Sequence, residues 1–270
     1  MSNSNEKYIE YNGSSLHYII TGAGSPVVLI HGFGEDSTVW DNQIAVLKNT
    51  YKLIVPDLPG SGRSTLLQKE RINLVDHADC VKEILSVENI EQCIMIGHSM
   101  GGYIALAFAE KYPGLLTALG LFHSSAYADD AEKIQVRKKA IEFIQKNGAA
   151  AFLKTSIPGL FFDQEKSSFD IEMLLQKGNN FSPEALIQYY EAMIARPDRT
   201  ELLKNTHLPV LLIIGQHDKA VPFKLSLEQA KMPGHSHIHI LRNSAHMGML
   251  EETVDSNKIL ADFLQMSDPK

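Results

Sequence analysis

Cysteine is scarce: Cys80 and Cys93 are the only two in the chain. That is too few for a disulfide framework. Their positions in an expected helix and an expected strand suit small core residues in a reducing compartment. Charge of one sign is nowhere concentrated. Against 25 Lys and Arg stand 32 Asp and Glu, a formal charge of −7, with no long basic run. Nucleic-acid binding needs clustered cations, so no nucleic-acid partner is expected. Long apolar runs are missing too: nothing approaches the roughly 18 residues of a membrane span. The opening MSNSNEKYIEYNG holds no apolar stretch of signal-peptide length. Internal repeats and low-complexity segments are also absent. With 44% apolar and 21% charged residues, the remaining expectation is a soluble globular chain, placed in the cytoplasm.

The pattern along the chain alternates buried-strand runs with helical periodicity. Tyr8–Asn12 and Leu16–Thr21 read as strands joined at Asn12-Gly13, a pair that tolerates positive φ in a hairpin. Pro26–Ile30, Lys52–Val55, Cys93–Ile96, Thr117–Phe122 and Leu208–Ile214 are apolar runs of the kind buried on both sheet faces. Helices are expected at Ser37–Lys48, Leu74–Ser86, after Ser99, at Lys224–Lys231 and from Glu251 to Met266, with a last strand at Ile238–Leu241. This alternation predicts an α/β fold with a mostly parallel sheet covered by helices on both faces. Between Ala126 and Asn205 no strand pattern occurs, only helical segments broken by Gly and Pro. Residues 1–125 and 206–270 are therefore expected to form the core, and residues 126–205 an inserted helical cap.

Open α/β sheets bind ligands at the carboxyl ends of their strands, so residues just past strands carry the functional argument. The run Cys93–Ile96 enters Gly97-His98-Ser99-Met100-Gly101-Gly102, and a helical pattern follows at once. In G-x-S-x-G the glycines let strand and helix backbones approach closely, and the serine stands at the apex of a strained turn. A serine hydroxyl needs a base, and the base needs a carboxylate to fix its tautomer. Asp218 follows the strand ending at Gly215, and His246 follows the strand ending at Leu241. The candidates are thus Ser99 as nucleophile, His246 as base and Asp218 as its partner. An oxyanion needs two converging donors. Those expected are the backbone N–H groups of Met100 and of Phe33, in the loop His31-Gly32-Phe33-Gly34.

In order, HGFGEDSTVW, VPDLPGSGRS, IGHSMGG, IIGQHDKAVP and SAHMGMLEE resemble the α/β-hydrolase superfamily, in its branch of capped, cofactor-free hydrolases. The resemblance spans nearly the whole chain and is specific to the superfamily rather than to a substrate. Ala245 departs mildly from the glycine that many relatives place before the histidine. Serine at the elbow disfavours haloalkane dehalogenases and epoxide hydrolases, which use aspartate there. HGFGE differs from the HGGPG of proline iminopeptidases and the HGGG of many lipases. The resemblance implies a serine hydrolase acting on an ester or related acyl bond of a small, fairly apolar molecule. Carbon–carbon bond hydrolysis with the same triad, or a ligand receptor on the same fold, are the alternatives. No cofactor, no metal and no oligomeric state are assigned.

Around the acyl group the expected pocket residues are His123, after the strand beside the elbow, and Phe152, Leu160, Phe161, Phe162 and Met193 from the cap. The alternating His235, His237 and His239 suit a solvent-facing edge better than a metal site, since no carboxylate or cysteine cluster accompanies them. Gly60–Ser64 lacks the Lys-Ser/Thr of a phosphate loop and reads as a structural turn after Asp57.

Overall fold

A computed structural model describes residues 5–268. The chain opens with strands β1 (Asn5–Tyr11) and β2 (Ser14–Thr21), turning at Asn12 and Gly13 with φ of 49° and 77°. There follow β3 (Pro26–Ile30), a 3₁₀ turn (Ser37–Trp40), α1 (Asp41–Leu47), β4 (Lys52–Pro56) and α2 (Leu74–Val87). Next come β5 (Cys93–His98), α3 (Met100–Lys111) and β6 (Leu116–Phe122). Between β6 and the next strand every regular element is helical: α4 (Ala131–Asn147), α5 (Ala149–Ser156), a 3₁₀ turn (Ile157–Leu160), α6 (Ser168–Gly178), α7 (Pro183–Ile194) and α8 (Thr200–Asn205). The chain then returns through β7 (Val210–Gly215), α9 (Phe223–Gln229), β8 (Ser236–Leu241), α10 (Gly248–Glu251) and α11 (Thr253–Ser267).

One eight-stranded sheet has the order β1-β2-β4-β3-β5-β6-β7-β8. β1–β2 and β2–β4 are antiparallel and every other pairing is parallel. The parallel strands β5 and β7 are buried at every residue, as their unbroken apolar runs require. By contrast β8 is an edge. Its histidines turn inward, His237 against the Phe263 ring of α11, while Ile238 and Ile240 stay exposed. Helix α3 is buried from Met100 to Ala109, which explains why its sequence is apolar on every side.

Register brings the functional ends together. Ile30 pairs with Gly97, His98 with Phe122, Phe122 with Ile213, and Gly215 with Leu241. Five strands thus finish at one level. The chain runs from β3 outward to β4 and then crosses back to β5 on the other side of β3. This reversal leaves a crevice between the ends of β3 and β5, the place where such sheets take ligands. Cys80 and Cys93 are both buried and unpaired, and burial pushes both thiols up to about 12. Among the described residues no helix is long and apolar enough to cross a membrane.

Candidate active site

The turn from β5 into α3 is as tight as two glycines allow. A Cβ on Gly97 would stand 2.2 Å from the Gly101 carbonyl oxygen, and one on Gly101 would stand 2.4 Å from that of Ile30. At the apex Ser99 has φ 50° and ψ −115°, outside the regions where residues with a side chain are at ease. Neighbours hold it there. The Ser99 N–H donates to the Phe122 carbonyl at 3.0 Å, and the Ser124 hydroxyl donates to the Ser99 carbonyl at 2.6 Å.

Ser99 Oγ lies 2.8 Å from His246 Nε2, and His246 Nδ1 lies 2.7 Å from Asp218 Oδ2. A carboxylate only accepts, so Nδ1 carries the proton, and the Nε2 lone pair faces the serine hydroxyl. The other oxygen of Asp218 accepts from the N–H groups of Ala220 and Val221 at 2.8 and 2.9 Å. Burial alone would raise this carboxyl. The His246 imidazole against it outweighs that cost and holds it below the ordinary range, so Asp218 stays ionised.

The donors expected for an oxyanion also lie at this level. Met100 opens α3, where N–H groups have no intrahelical acceptor, and Phe33 follows β3 in the adjacent loop. That loop is pinned by Glu35, whose Oε2 accepts from the Gly32 N–H at 2.8 Å and from His98 Nδ1 at 3.0 Å. Burial disfavours charge on both partners, yet their mutual attraction lowers the Glu35 carboxyl and raises the His98 imidazole, so they form an ion pair. The far nitrogen of His98 donates to the His246 carbonyl at 2.9 Å. On the other flank Glu251 clasps the 244–247 loop, accepting from Ala245 N–H at 2.9 Å, Met247 N–H at 3.2 Å and the Ser244 hydroxyl at 3.1 Å. Neither the Glu35–His98 link nor the Glu251 clasp is foreseen in the sequence reading, although both acids sit inside motifs it quotes.

A cavity of about 150 Å³ opens over Ser99 and His246, lined further by Phe33, Glu35, Tyr103, Lys133, Arg137, Leu160, Tyr190, Met193, Ala220 and Val221. Of the expected pocket residues, Leu160 and Met193 line it. Phe152 stands one layer back, its ring edge-on to Phe33 at 6.2 Å and to Tyr190 at 5.8 Å. Phe161 is buried away from the cavity. Phe162 is 48% exposed and stacks on His217 at 3.8 Å, so it faces outward. His123 lies beneath the site rather than on its wall. Its φ is 46°, and neither ring nitrogen has a hydrogen-bond partner among the described residues. Burial drives its pKa down to about 3, so it is neutral. The cations Lys133 and Arg137 are a feature that the expectation of an apolar ceiling misses. Their i, i+4 spacing puts them on one face of α4, but periodicity alone does not say which way that face turns.

Among the described residues, the group with metal-ligand spacing is His98, His123 and His246, with ligand atoms within 4.8 Å of one another. Both nitrogens of His98 and both of His246 are already committed to the contacts above. That leaves His123 alone with a free lone pair, and one ligand does not hold a metal. His235, His237 and His239 do not join such a group. The turn after Asp57 is built around that residue's carboxylate, which accepts from His17 Nδ1, Ser37 N–H and Arg63 N–H at 2.8–2.9 Å.

Residues 25–139 match a family model described as the alpha/beta hydrolase fold. A thermophilic esterase from Thermogutta terrifontis, solved with malate bound, superposes with a TM-score of 0.91 at 27% identity, covering 98% of this chain and 100% of that one. The chain has the α/β-hydrolase fold. It is a hydrolase of that fold. A pimeloyl-[acyl-carrier protein] methyl ester esterase of Legionella pneumophila is 27% identical over 88% of this chain and 95% of its own length. A 2-hydroxy-6-oxononadienedioate/2-hydroxy-6-oxononatrienedioate hydrolase of Paraburkholderia phymatum is 26% identical over 92% and 90%.

Proposed function

We propose that this hydrolase is a serine esterase for small acyl substrates, with Ser99 as nucleophile, His246 as general base and Asp218 as the carboxylate that orients it. The observation that carries this reading is the imidazole of His246, held between the Ser99 hydroxyl and the Asp218 carboxylate at 2.8 and 2.7 Å. Ser99 Oγ attacks the ester carbonyl as its proton passes to Nε2. Asp218 stabilises the imidazolium so formed. The carbonyl oxygen becomes an oxyanion, met by the N–H groups of Phe33 and Met100 and by the positive end of α3. Collapse expels the alcohol, which takes the proton from Nε2. Water, deprotonated by the same nitrogen, then attacks the acyl-serine and releases the acid.

In this reading residues 126–205 form a cap over the site. The cavity wall supports that role, since Lys133, Arg137, Leu160, Tyr190 and Met193 all come from this segment. So does the hydrogen bond from the His246 N–H to the Leu160 carbonyl at 2.8 Å. Turnover of p-nitrophenyl acetate tests the proposal. Ser99→Ala should lower kcat by about 10⁴–10⁶-fold with the fold intact. Wild-type protein that ignores esters but cleaves a vinylogous diketone would instead assign carbon–carbon hydrolysis to the same residues.

A further inference from the structure

We propose that the substrate of this site carries its own carboxylate, and that Lys133, seconded by Arg137, binds it. The inference rests on the serine-hydrolase reading for the reacting end of the molecule and on a charge imbalance for the other end. The Asp129 side chain is buried and shared by two guanidinium groups, Arg137 Nε at 2.6 Å and Arg196 at 2.8 Å. Two cations on one carboxylate leave one positive charge over. Lys133 adds a second. It is half-buried, and its Nζ donates to the Ala220 carbonyl at 2.8 Å. Among the described residues it has no carboxylate partner. An ammonium has three donors, so two of its protons remain.

The other charges facing the cavity do not cancel this excess. Glu35 is committed to His98 and the Gly32 N–H. Asp218 does not line the cavity and is occupied by His246 and two backbone N–H groups. The rest of the wall is mostly aromatic or aliphatic: Phe33, Leu160, Tyr190, Met193, Val221. The buried phenol of Tyr103, on the same wall, reports the field. Burial would raise it, but Arg196, Lys133 and Arg137 together pull it below its ordinary value. Unpaired cations in such a setting are costly unless an anion joins them. Because Ser99 and the cations share one small cavity, a single short molecule can reach both.

Two chemistries would put a carboxylate there: a monoester of a dicarboxylic acid, with the charge on the acyl side, or an acylated hydroxy acid, with the charge on the alcohol side. Lys133 lies close to the catalytic loop, since Ala220 accepts from it and donates to Asp218. A purely structural Lys133 would pin α4 to that loop and do no more, so the test must separate charge recognition from bracing. Hydrolysis of monoethyl glutarate, O-acetyl-3-hydroxypropanoate and neutral ethyl pentanoate is followed by pH-stat for the wild type and for Lys133→Met, Lys133→Glu and Lys133→Arg, with melting temperatures alongside.

The expected result is that one of the two anionic esters exceeds the neutral one in kcat/KM by about tenfold or more, and which one identifies the side that bears the charge. Lys133→Met should collapse that ratio, mainly through KM. Lys133→Glu should push it below one, and Lys133→Arg should restore most of it. A ratio that all three variants leave within about twofold of the wild-type value overturns the proposal, whatever happens to stability. Calorimetric binding of the same esters to Ser99→Ala needs no turnover. Lys133-dependent binding there, without hydrolysis by the wild type, would uphold the anion site while refuting the esterase reading. Neutral-ester hydrolysis without charge discrimination would do the reverse.

Discussion

His98 donates from Nε2 to the backbone carbonyl of His246 at 2.9 Å, across 148 positions of sequence. Through His98 and its ion-pair partner Glu35, the loop that carries Phe33 and the loop that carries His246 are held in one frame. The general base and one expected oxyanion donor are therefore set by the same buried pair, neither member of which bonds to the serine hydroxyl through its side chain.

Loss of Glu35 should act through that frame. Glu35→Ala leaves a buried imidazolium without its partner and a Gly32 N–H without its acceptor, a loss of about 3–5 kcal/mol in unfolding experiments. Glu35→Gln should recover part of it, because the amide oxygen can still accept from the Gly32 N–H. In both variants kcat should fall more than KM changes, since the reacting groups shift while the part of the cavity wall drawn from residues 126–205 stays. Denaturant melts and steady-state kinetics on one neutral ester check this. An unchanged kcat in Glu35→Ala would show that the frame does not position the base.

The strain at Ser99 is measurable in stability. At φ 50° and ψ −115° only glycine is at ease, so Ser99→Gly should be more stable than Ser99→Ala by about 1–3 kcal/mol. Both variants lose the hydroxyl, which makes the comparison one of backbone alone. Equal midpoints would deny the strain.

Acid should weaken the fold in a defined window. His77 is buried and, among the described residues, neither of its ring nitrogens has a hydrogen-bond partner; burial drives its pKa down to about 4, while His123 falls to about 3. Unfolding exposes both to water, where an ordinary imidazole binds a proton below about pH 6.5. Over that interval the unfolded chain therefore binds more protons, and stability drops as pH falls from about 6.5 toward the folded values, by up to about 1.4 kcal/mol per pH unit for each histidine. Above pH 6.5 neither contributes a slope. His77→Leu should flatten the dependence between pH 6.5 and 4. A slope equal to that of the wild type would contradict the assignment.

Substrate preference should follow the cavity wall rather than aromatic content. Leu160 lines the cavity, whereas Phe162, two residues on, lies against His217 in solvent. Leu160→Ala should change relative kcat/KM along an acyl series by about 10–200-fold, and Phe162→Ala should leave the ranking as it was. A shift confined to Phe162→Ala would reverse the assignment.

These two residues also show where reading the sequence stops. Parallel strands announce themselves by unbroken apolar runs, and a tight strand-to-helix turn needs glycine at fixed positions. The sheet and the places of Ser99, Asp218 and His246 past strand ends are therefore legible as pattern, and parallel register then brings those ends to one level. Inside the helical segment the pattern says which residues are apolar, not which way each faces. Phe161 and Phe162 look like ceiling and are not on the wall, while Lys133 and Arg137 look like a solvated face and are. The Glu35–His98 pair is invisible for a different reason. Its partners are 63 positions apart, and either one alone reads as an ordinary loop or turn residue.

The most direct test of the account is to locate a fluorophosphonate adduct by peptide mass mapping after inactivation of the folded protein. One adduct, on Ser99, that appears in step with loss of esterase activity is the predicted result, together with its absence in His246→Ala, where no base draws off the hydroxyl proton. An adduct on any other residue, or full ester hydrolysis by protein carrying the Ser99 adduct, would contradict it.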